Sequence, residues 1–276
     1  MGGNTTENNP TNLSIGLRAY LLVIYTVTLF GGTLGIVFMV RFLRRSKNKL
    51  SITTTIIINL MMAHGLFLLT VPFRIDYYAT NTWRYSFKFC NLVRIAIHTH
   101  LYISFFFYVA ILAVRLLPFL PTRLRPLTAF VASAAVWIVF TITIFPPLWL
   151  HYGHTGNCSE SQCFHFHVEI KEYVKWLDII IATMVILISV VIMTIQMLFL
   201  ARVAQSNPGN LFSQQEFRAQ LKNLTFLAFL VMCFLPYHAF RIYYVLHVDD
   251  RNSRHNEVYL SRTTLCCLDL LTFLAI

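Results

Sequence analysis

Charged residues are scarce in this chain of 276 residues. Only 12% of the positions are Asp, Glu, Lys or Arg, and acidic residues are the scarcer kind, 11 against 22 basic ones. Soluble proteins carry about 25% charged residues, whereas 57% of this sequence is apolar and its mean hydropathy is +0.63. The scarcity of charge excludes an ordinary soluble domain and predicts an integral membrane protein surrounded by a lipid bilayer.

Several other patterns are missing from the sequence. We find no low-complexity tract, no soluble domain and no internal repeat. Inverted repeats and rings of pore-lining charge are typical of transporters and channels, and neither is present. The net charge of +11 fits contact with anionic lipid or an anionic partner. No nucleic acid partner is expected, because no continuous basic groove stands apart from the apolar runs.

Seven apolar segments predict an all-α membrane protein, a seven-transmembrane helix bundle. Each segment is near or above the roughly 20 residues that cross a bilayer as a helix. We number them as the first to seventh spans, at residues 17–41, 51–79, 88–117, 124–150, 172–203, 218–247 and 257–276. Residues 1–16 are expected to form a polar tail, and residues 17–276 one transmembrane domain.

The ends of the first span predict how the bundle is oriented. Five Lys and Arg residues lie between positions 41 and 49, and short loops rich in such residues stay on the cytoplasmic side. The tail contains two acceptor sequons, at Asn4 and Asn12, which we expect to be glycosylated. These features predict a multi-pass protein of the plasma membrane with its N-terminus outside. The C-terminus is then inside, and the stop at Ile276 is expected to be a truncation.

Six cysteines divide between the spans and the predicted outer surface. Cys90 begins the third span, and Cys158 and Cys163 lie in the loop between the fourth and fifth spans. Disulfides persist in this environment, and one of the three cysteines must remain unpaired. Either Cys90 pairs with Cys163 and fixes the loop over the bundle, or Cys158 and Cys163 close a small loop.

The end of the sixth span combines a helix breaker with polar side chains. Pro236 leaves a carbonyl without its helical partner and kinks the helix. His238 and Arg241 follow it at i and i+3, so they share one face. Polar groups in the membrane are costly and by default mark a functional site.

Motifs along the spans resemble those of the rhodopsin-like G-protein-coupled receptors. Cys90 at the head of the third span is followed 25 residues later by Arg115 at its foot. The Phe-Leu-Pro-Tyr-His sequence at 234–238, with Arg241, resembles the branch that binds nucleotides and lipid mediators. The resemblance covers nearly the whole chain. It implies a receptor that passes an extracellular signal to a heterotrimeric G protein, with an unknown small-molecule or lipid ligand and no cofactor.

The resemblance also implies where the ligand binds. In that branch, basic residues matching Arg94 and Arg241 bind phosphate or carboxylate, and arginine suits this role through its bidentate fork. Either arginine could instead reach lipid headgroups or pair with a loop acid such as Glu257. Asp178 of the fifth span could face the pocket and accept from His or Arg, or it could mark the outer interface. The expected ligand residues are Arg94, His98, Tyr102, Phe234, His238, Arg241, Tyr259 and Arg262.

The activation motif at the foot of the third span departs from the family pattern. The family's Asp-Arg-Tyr reads Val114-Arg115-Leu116 here, so Arg115 has lost its neighbouring acid. Glu216 matches a family position that can reach this arginine, although it could also be a solvated start of the sixth helix. Loss of the local acid implies raised basal activity.

The family's sodium site is altered as well. The aspartate that the family has in its second helix is His64 here, and Ser104 matches the family's serine in the third helix. The family's seventh-helix motif Asn/Asp-Pro-x-x-Tyr begins at Asp269 here and lacks both the proline and the tyrosine. Sodium requires oxygen ligands and negative charge, so we expect no metal. His64 either pairs with Asp269 across the core in place of the ion, or is neutral and bonded to a backbone carbonyl.

Other functions are less well supported. Retinal attachment requires a lysine in the seventh span, and no lysine follows Lys222. His64, Ser104 and Asp269 have the composition of a catalytic triad, but they match the family's ion site, so we expect no enzyme activity. The main alternative is a non-signalling decoy or scaffold receptor, because the motifs around Arg115 and in the seventh span are altered.

Overall fold

The computed structural model consists of helices and contains no strand in the residues it describes. Those residues are 15–45, 51–116, 126–143, 146, 163–164, 172–206 and 223–275. Among these residues, five helical segments are long and apolar enough to cross a membrane, namely Ile15–Arg45, Ile52–Thr80, Phe87–Leu116, Lys175–Val203 and Asn223–Leu246. A shorter apolar stretch, Phe130–Ile142, lies in the fourth span.

The third span lies at the centre of the bundle. It forms one helix, Phe87–Leu116, and 67% of its most apolar stretch is buried, against 28% for the first span and 17% for the fifth. The first and fifth spans therefore present apolar side chains such as Phe30 and Leu187 outward, where lipid surrounds them. The first, fourth and fifth spans are the helices Ile15–Arg45, Pro126–Thr143 and Glu172–Ser206.

The second span is two helices and not the single helix expected over residues 51–79. They are Ile52–Leu68 and Val71–Thr80. Pro72, in the first turn of the second helix, has no amide hydrogen and cannot continue the preceding helix. The chain turns tightly instead, and the Thr70 amide donates to the Phe67 carbonyl at 2.8 Å.

The sixth span contains a turn of π-helix immediately before the predicted kink. Residues Leu230–Phe234 form this turn, and a regular helix, Leu235–Leu246, continues from it with Pro236 in its first turn. A proline ring clashes with the carbonyl four residues earlier, and a wider turn relieves that clash. Such turns are frequent at functional sites, so the wide turn and Pro236 together form a hinge candidate.

The seventh span begins at Asp250, seven residues before the expected start at 257. The Asp249 side chain caps the helix and accepts from the Asn252 amide at 2.6 Å. The early start was missed because these residues are polar, while the prediction followed apolar residues alone. The span consists of helix Asp250–Thr263, a 3-10 turn Thr264–Leu268 and helix Asp269–Ala275.

Candidate functional site

One end of the bundle is closed by a disulfide between Cys90 and Cys163. This finding confirms the first of the two expected pairings, and Cys158 lies outside the described residues. The bridge holds Phe164 against Tyr77, with ring centroids 4.9 Å apart. We call this the disulfide end, and the opposite end the Arg115 end.

The ligand residues expected from the third and sixth spans meet below the disulfide. The Tyr102 and His238 rings have centroids 6.1 Å apart. Arg94, His98 and His238 are all buried, and Arg94 Nη2 lies 3.9 Å from the Cys90 sulfur. The structure therefore brings these two spans together at the disulfide end through polar and aromatic side chains.

Arg241 forms an ion pair with Asp178 of the fifth span. Arg241 Nη2 donates to Asp178 Oδ2 at 2.6 Å, and both side chains are largely buried. The guanidinium carbon also lies 5.3 Å from the ring centroid of Tyr244. Of the acids considered for Arg241, the structure thus pairs it with the one in the fifth span, and this pair joins the fifth and sixth spans.

The remaining expected ligand residues occupy different positions. Tyr259 stacks on Phe240 with ring centroids 4.7 Å apart, which joins the sixth and seventh spans. Arg262 is half-buried one turn further along. Phe234 is fully buried and packs between Phe105 and Tyr108, at 5.8 and 5.7 Å between ring centroids. Phe234 is therefore a packing residue beside the π-helical turn.

A second buried ion pair, between Arg74 and Glu257, was missed by sequence reasoning. Glu257 Oε1 accepts from Arg74 Nη1 at 3.2 Å, from Tyr25 at 3.1 Å and from Tyr78 at 2.6 Å. The Arg74 guanidinium also lies 4.5 Å from the ring centroid of Phe164. This network ties the first, second and seventh spans together. The sequence feature that could have indicated this pair is Arg74 itself, an arginine in an apolar segment two residues after Pro72.

His64 and Asp269 meet in the middle of the bundle, as expected. His64 Nε2 lies 3.3 Å from Asp269 Oδ1, a close contact without hydrogen-bond geometry. Tyr108 donates to Asp269 Oδ2 at 2.6 Å. Ser104 is buried beside this region, and its hydroxyl has no hydrogen-bond partner in the part of the chain that the structure describes.

Three further residues, none of them predicted, adjoin His64. His100 Nε2 lies 2.9 Å from His64 Nδ1, 3.5 Å from the Cys267 sulfur and 4.0 Å from the Cys266 sulfur. All of these side chains are buried. The sequence features that could have indicated this cluster are two adjacent cysteines in the seventh span and histidines in the second and third spans.

At the Arg115 end, Arg115 connects the third and sixth spans. Arg115 Nη1 donates to Asn223 Oδ1 at 3.1 Å, and its guanidinium carbon lies 5.2 Å from the ring centroid of Phe226. Three expected site residues lie outside the described residues, namely Glu216, Asn4 and Asn12.

Comparison with known proteins identifies the family. Residues 35–272 match the model of the 7 transmembrane receptor (rhodopsin family). The human probable G-protein coupled receptor 141 is 38% identical over 99% of this chain and 92% of its own length. The rat 2-oxoglutarate receptor 1 is 26% identical over 96% of this chain and 82% of its own length. A human purinoceptor is 28% identical over 80% of this chain and 65% of its own length.

The matched family is one of receptors, and it accounts for the fold. It explains the apolar spans, the central third helix and the disulfide at its head. The protein is therefore a multi-pass receptor of the plasma membrane and not an enzyme. The chain belongs to the rhodopsin family of seven-transmembrane, G-protein-coupled receptors.

Proposed function

We propose that this receptor binds a small anionic ligand at its disulfide end and signals to a heterotrimeric G protein at its Arg115 end. The ligand carries carboxylate or phosphate groups, on either a soluble metabolite or a lipid. The observation that carries this proposal is the Arg241–Asp178 ion pair, which links two spans inside the expected pocket.

The chemistry of the pocket favours an anion. Arg94, Arg241 and Arg262 supply guanidinium groups from the third, sixth and seventh spans, and such groups bind carboxylate and phosphate in a bidentate manner. Arg74 is not counted, because its partner Glu257 is also held by hydrogen bonds from Tyr25 and Tyr78, and an anion would have to break this whole network. Aromatic rings at Tyr102 and Tyr259 supply apolar walls of the kind that ligand pockets have.

The ion pair also supplies a mechanism. An anionic ligand competes with Asp178 for Arg241 and releases the sixth span from the fifth. The π-helical turn and Pro236 allow the released segment to pivot. A ligand shifts the equilibrium between the resting and active states only by its differential affinity for the two. An anion that takes the place of the Asp178 carboxylate beside Arg241 would bind more tightly to the state in which this ion pair is broken. The absence of an acid beside Arg115 leaves the resting state less restrained, so we expect elevated basal activity.

Two of the relatives support this ligand class. The rat relative is named for 2-oxoglutarate, a dicarboxylate, and one of the human relatives is a purinoceptor. The alternative function, a non-signalling decoy or scaffold, rests on the missing proline and tyrosine after Asp269. Both functions are compatible with ligand binding, but only the first requires G-protein activation.

The test is a G-protein activation panel, first without ligand and then with dicarboxylates, nucleotides and lysophospholipids. We expect ligand-independent activation and an anionic agonist whose potency falls at least about tenfold in Arg241→Ala, the loss of about 1.4 kcal/mol of binding. Asp178→Asn should raise potency, because Arg241 then lacks its internal competitor.

Arg18→Ala is the matched control for the arginine substitution. Arg18 bonds the backbone carbonyls of Tyr78 and Ala79 at the same end, so its loss should leave agonist potency unchanged. An agonist that is insensitive to Arg241→Ala and Arg94→Ala would refute the anion site. Ligand binding without activation of any G protein would support the decoy function.

A further inference from the structure

Four side chains with metal-binding atoms meet at the centre of the bundle. They are His64 of the second span, His100 of the third, and Cys266 and Cys267 of the seventh, and we call them the His-Cys cluster. One ligand atom from each lies within 4.8 Å of all the others, and every member is buried. The proposed ligand pocket uses none of them.

We propose that the His-Cys cluster binds one zinc ion. Two cysteines and two histidines form a common ligand set of closed, tetrahedral zinc sites. Zn–N bonds of about 2.0 Å and Zn–S bonds of about 2.3 Å place neighbouring ligand atoms about 3.3–3.8 Å apart. His100 Nε2 lies 2.9 Å from His64 Nδ1, 3.5 Å from the Cys267 sulfur and 4.0 Å from the Cys266 sulfur. Adjustments of about 0.5 Å or less bring these three distances to tetrahedral spacing, and all other distances between the ligand atoms are within 4.8 Å.

The ligand types and charges of the cluster favour zinc over sodium, magnesium, calcium and Cu⁺. Each cysteine loses its thiol proton when it binds the metal, so two thiolates cancel the charge of Zn²⁺. The zinc and its four ligands then carry no net charge, which lowers the cost of burying the ion. Sodium, magnesium and calcium prefer oxygen ligands. Cu⁺ accepts thiolates but would leave a net negative charge.

The surroundings of His64 approach those of a metal-binding histidine: a carboxylate lies behind the ring, and a rotation of the ring on metal binding would give this contact hydrogen-bond geometry. Its second ring nitrogen, Nε2, lies 3.3 Å from Asp269 Oδ1, and Tyr108 donates to the other carboxylate oxygen at 2.6 Å. A carboxylate behind a ligating histidine fixes the ring tautomer and orientation. A proton on Nε2 leaves the lone pair of Nδ1 directed toward the cluster. Phe67 stacks on His100 with ring centroids 4.4 Å apart and fixes the second imidazole.

The 3-10 turn of the seventh span supplies both sulfurs of the cluster. Consecutive side chains on a 3-10 turn point about 120° apart, so the Cys266 and Cys267 sulfurs approach His100 Nε2 from two directions, at 4.0 and 3.5 Å. Tyr108 donates to the Cys266 carbonyl at 3.2 Å. On the other side, a Cβ added to Gly32 would lie only 3.1 Å from the Cys267 Cβ. The turn is therefore held from two directions.

The test measures metal in the purified full-length chain and does not depend on signalling. After dialysis against a weak chelator, we expect one zinc per chain by elemental analysis. Replacement of zinc by Co²⁺ should produce the visible absorption of tetrahedral cobalt together with a sulfur-to-cobalt charge-transfer band. The double substitution Cys266→Ala/Cys267→Ala should abolish both signals.

Cys233→Ala is the matched control, because Cys233 is also a buried free cysteine but lies in the sixth span, outside the cluster. It should retain the zinc and both cobalt bands. Asp269→Asn keeps all four ligands and should weaken zinc binding about 10–100-fold through the altered support of His64. This variant tests the proposal even if the double variant does not fold.

Three results would overturn the proposal. The first is a wild-type chain that retains no stoichiometric zinc and gives no cobalt spectrum. The second is a folded double variant that binds zinc as tightly as the wild type. The third is stoichiometric copper in place of zinc, which would refute the choice of ion.

Discussion

Removing the Asn223 side chain should raise ligand-independent signalling. Asn223 Oδ1 accepts from Arg115 at 3.1 Å and ties the foot of the third span to the start of the sixth. Asn223 is 3% exposed, so water cannot readily replace the lost acceptor. If the sixth span separates from the third on activation, this bond is present only in the resting state.

The size of the effect follows from the strength of the bond. A hydrogen bond to a charged group contributes about 1.5–3 kcal/mol, and the half-buried position of Arg115 favours the lower limit. A change of about 1.4 kcal/mol shifts an equilibrium constant tenfold. A resting receptor with about 1% active population should therefore approach about 10% in Asn223→Ala.

The assay is nucleotide exchange on G proteins in membranes without ligand, normalised to receptor at the cell surface. Asn59→Ala is the matched control, because Asn59 also accepts a cross-span bond, from Trp137 at 3.0 Å, but links the second and fourth spans. It should lower thermal stability without raising basal exchange. Basal exchange that stays flat in Asn223→Ala at equal surface expression would refute the proposed restraint.

Two further predictions concern stability, and both are measured as the thermal unfolding midpoint of the purified receptor. Glu257→Gln should lower the free energy of unfolding by about 3–5 kcal/mol, because it leaves Arg74 buried without its ion-pair partner. Adding Arg74→Met should restore part of this lost stability. A double variant that is no more stable than Glu257→Gln would count against this explanation. Gly32→Ala should cost about 1–3 kcal/mol, because the new Cβ would crowd Cys267. Gly16→Ala, where a Cβ meets nothing within 4 Å, should have no such effect, and equal costs at the two sites would argue against crowding.

The sequence predicted the bundle because a membrane imposes a simple rule on it. Spans must be apolar and about 20 residues long, and composition alone reveals such segments. The start of the seventh span at Asp250 was missed for the same reason: its first turns are polar and rely on a cap at Asp249 instead of on apolar surface. The break in the second span was missed because Pro72 was not weighed as a helix stop.

Pairings between spans were harder to predict than the spans themselves. The resemblance suggested His64 with Asp269, and the structure brings those two together. Arg74 with Glu257 and His100 with Cys267 join residues more than 160 positions apart. No local pattern encodes such distances, and only the packing of the helices creates these contacts. Glu257 was treated as a loop acid, so its position inside the bundle could not be inferred.

The polar contacts between spans distinguish the sixth span from the seventh. The seventh span is tied to the first and second by Glu257 and to the second and third by Asp269, all in buried surroundings. In the described residues, the sixth span has two strong cross-span ties, Arg241 with Asp178 and Arg115 with Asn223. The Arg241–Asp178 pair lies where an anionic ligand would compete for Arg241, and the Arg115–Asn223 bond lies at the end proposed to face the G protein. A zinc ion would further fix the second, third and seventh spans to one another. The two polar ties of the sixth span thus lie at the two ends where ligand and G protein are proposed to act, so a displacement of this span would change both of them.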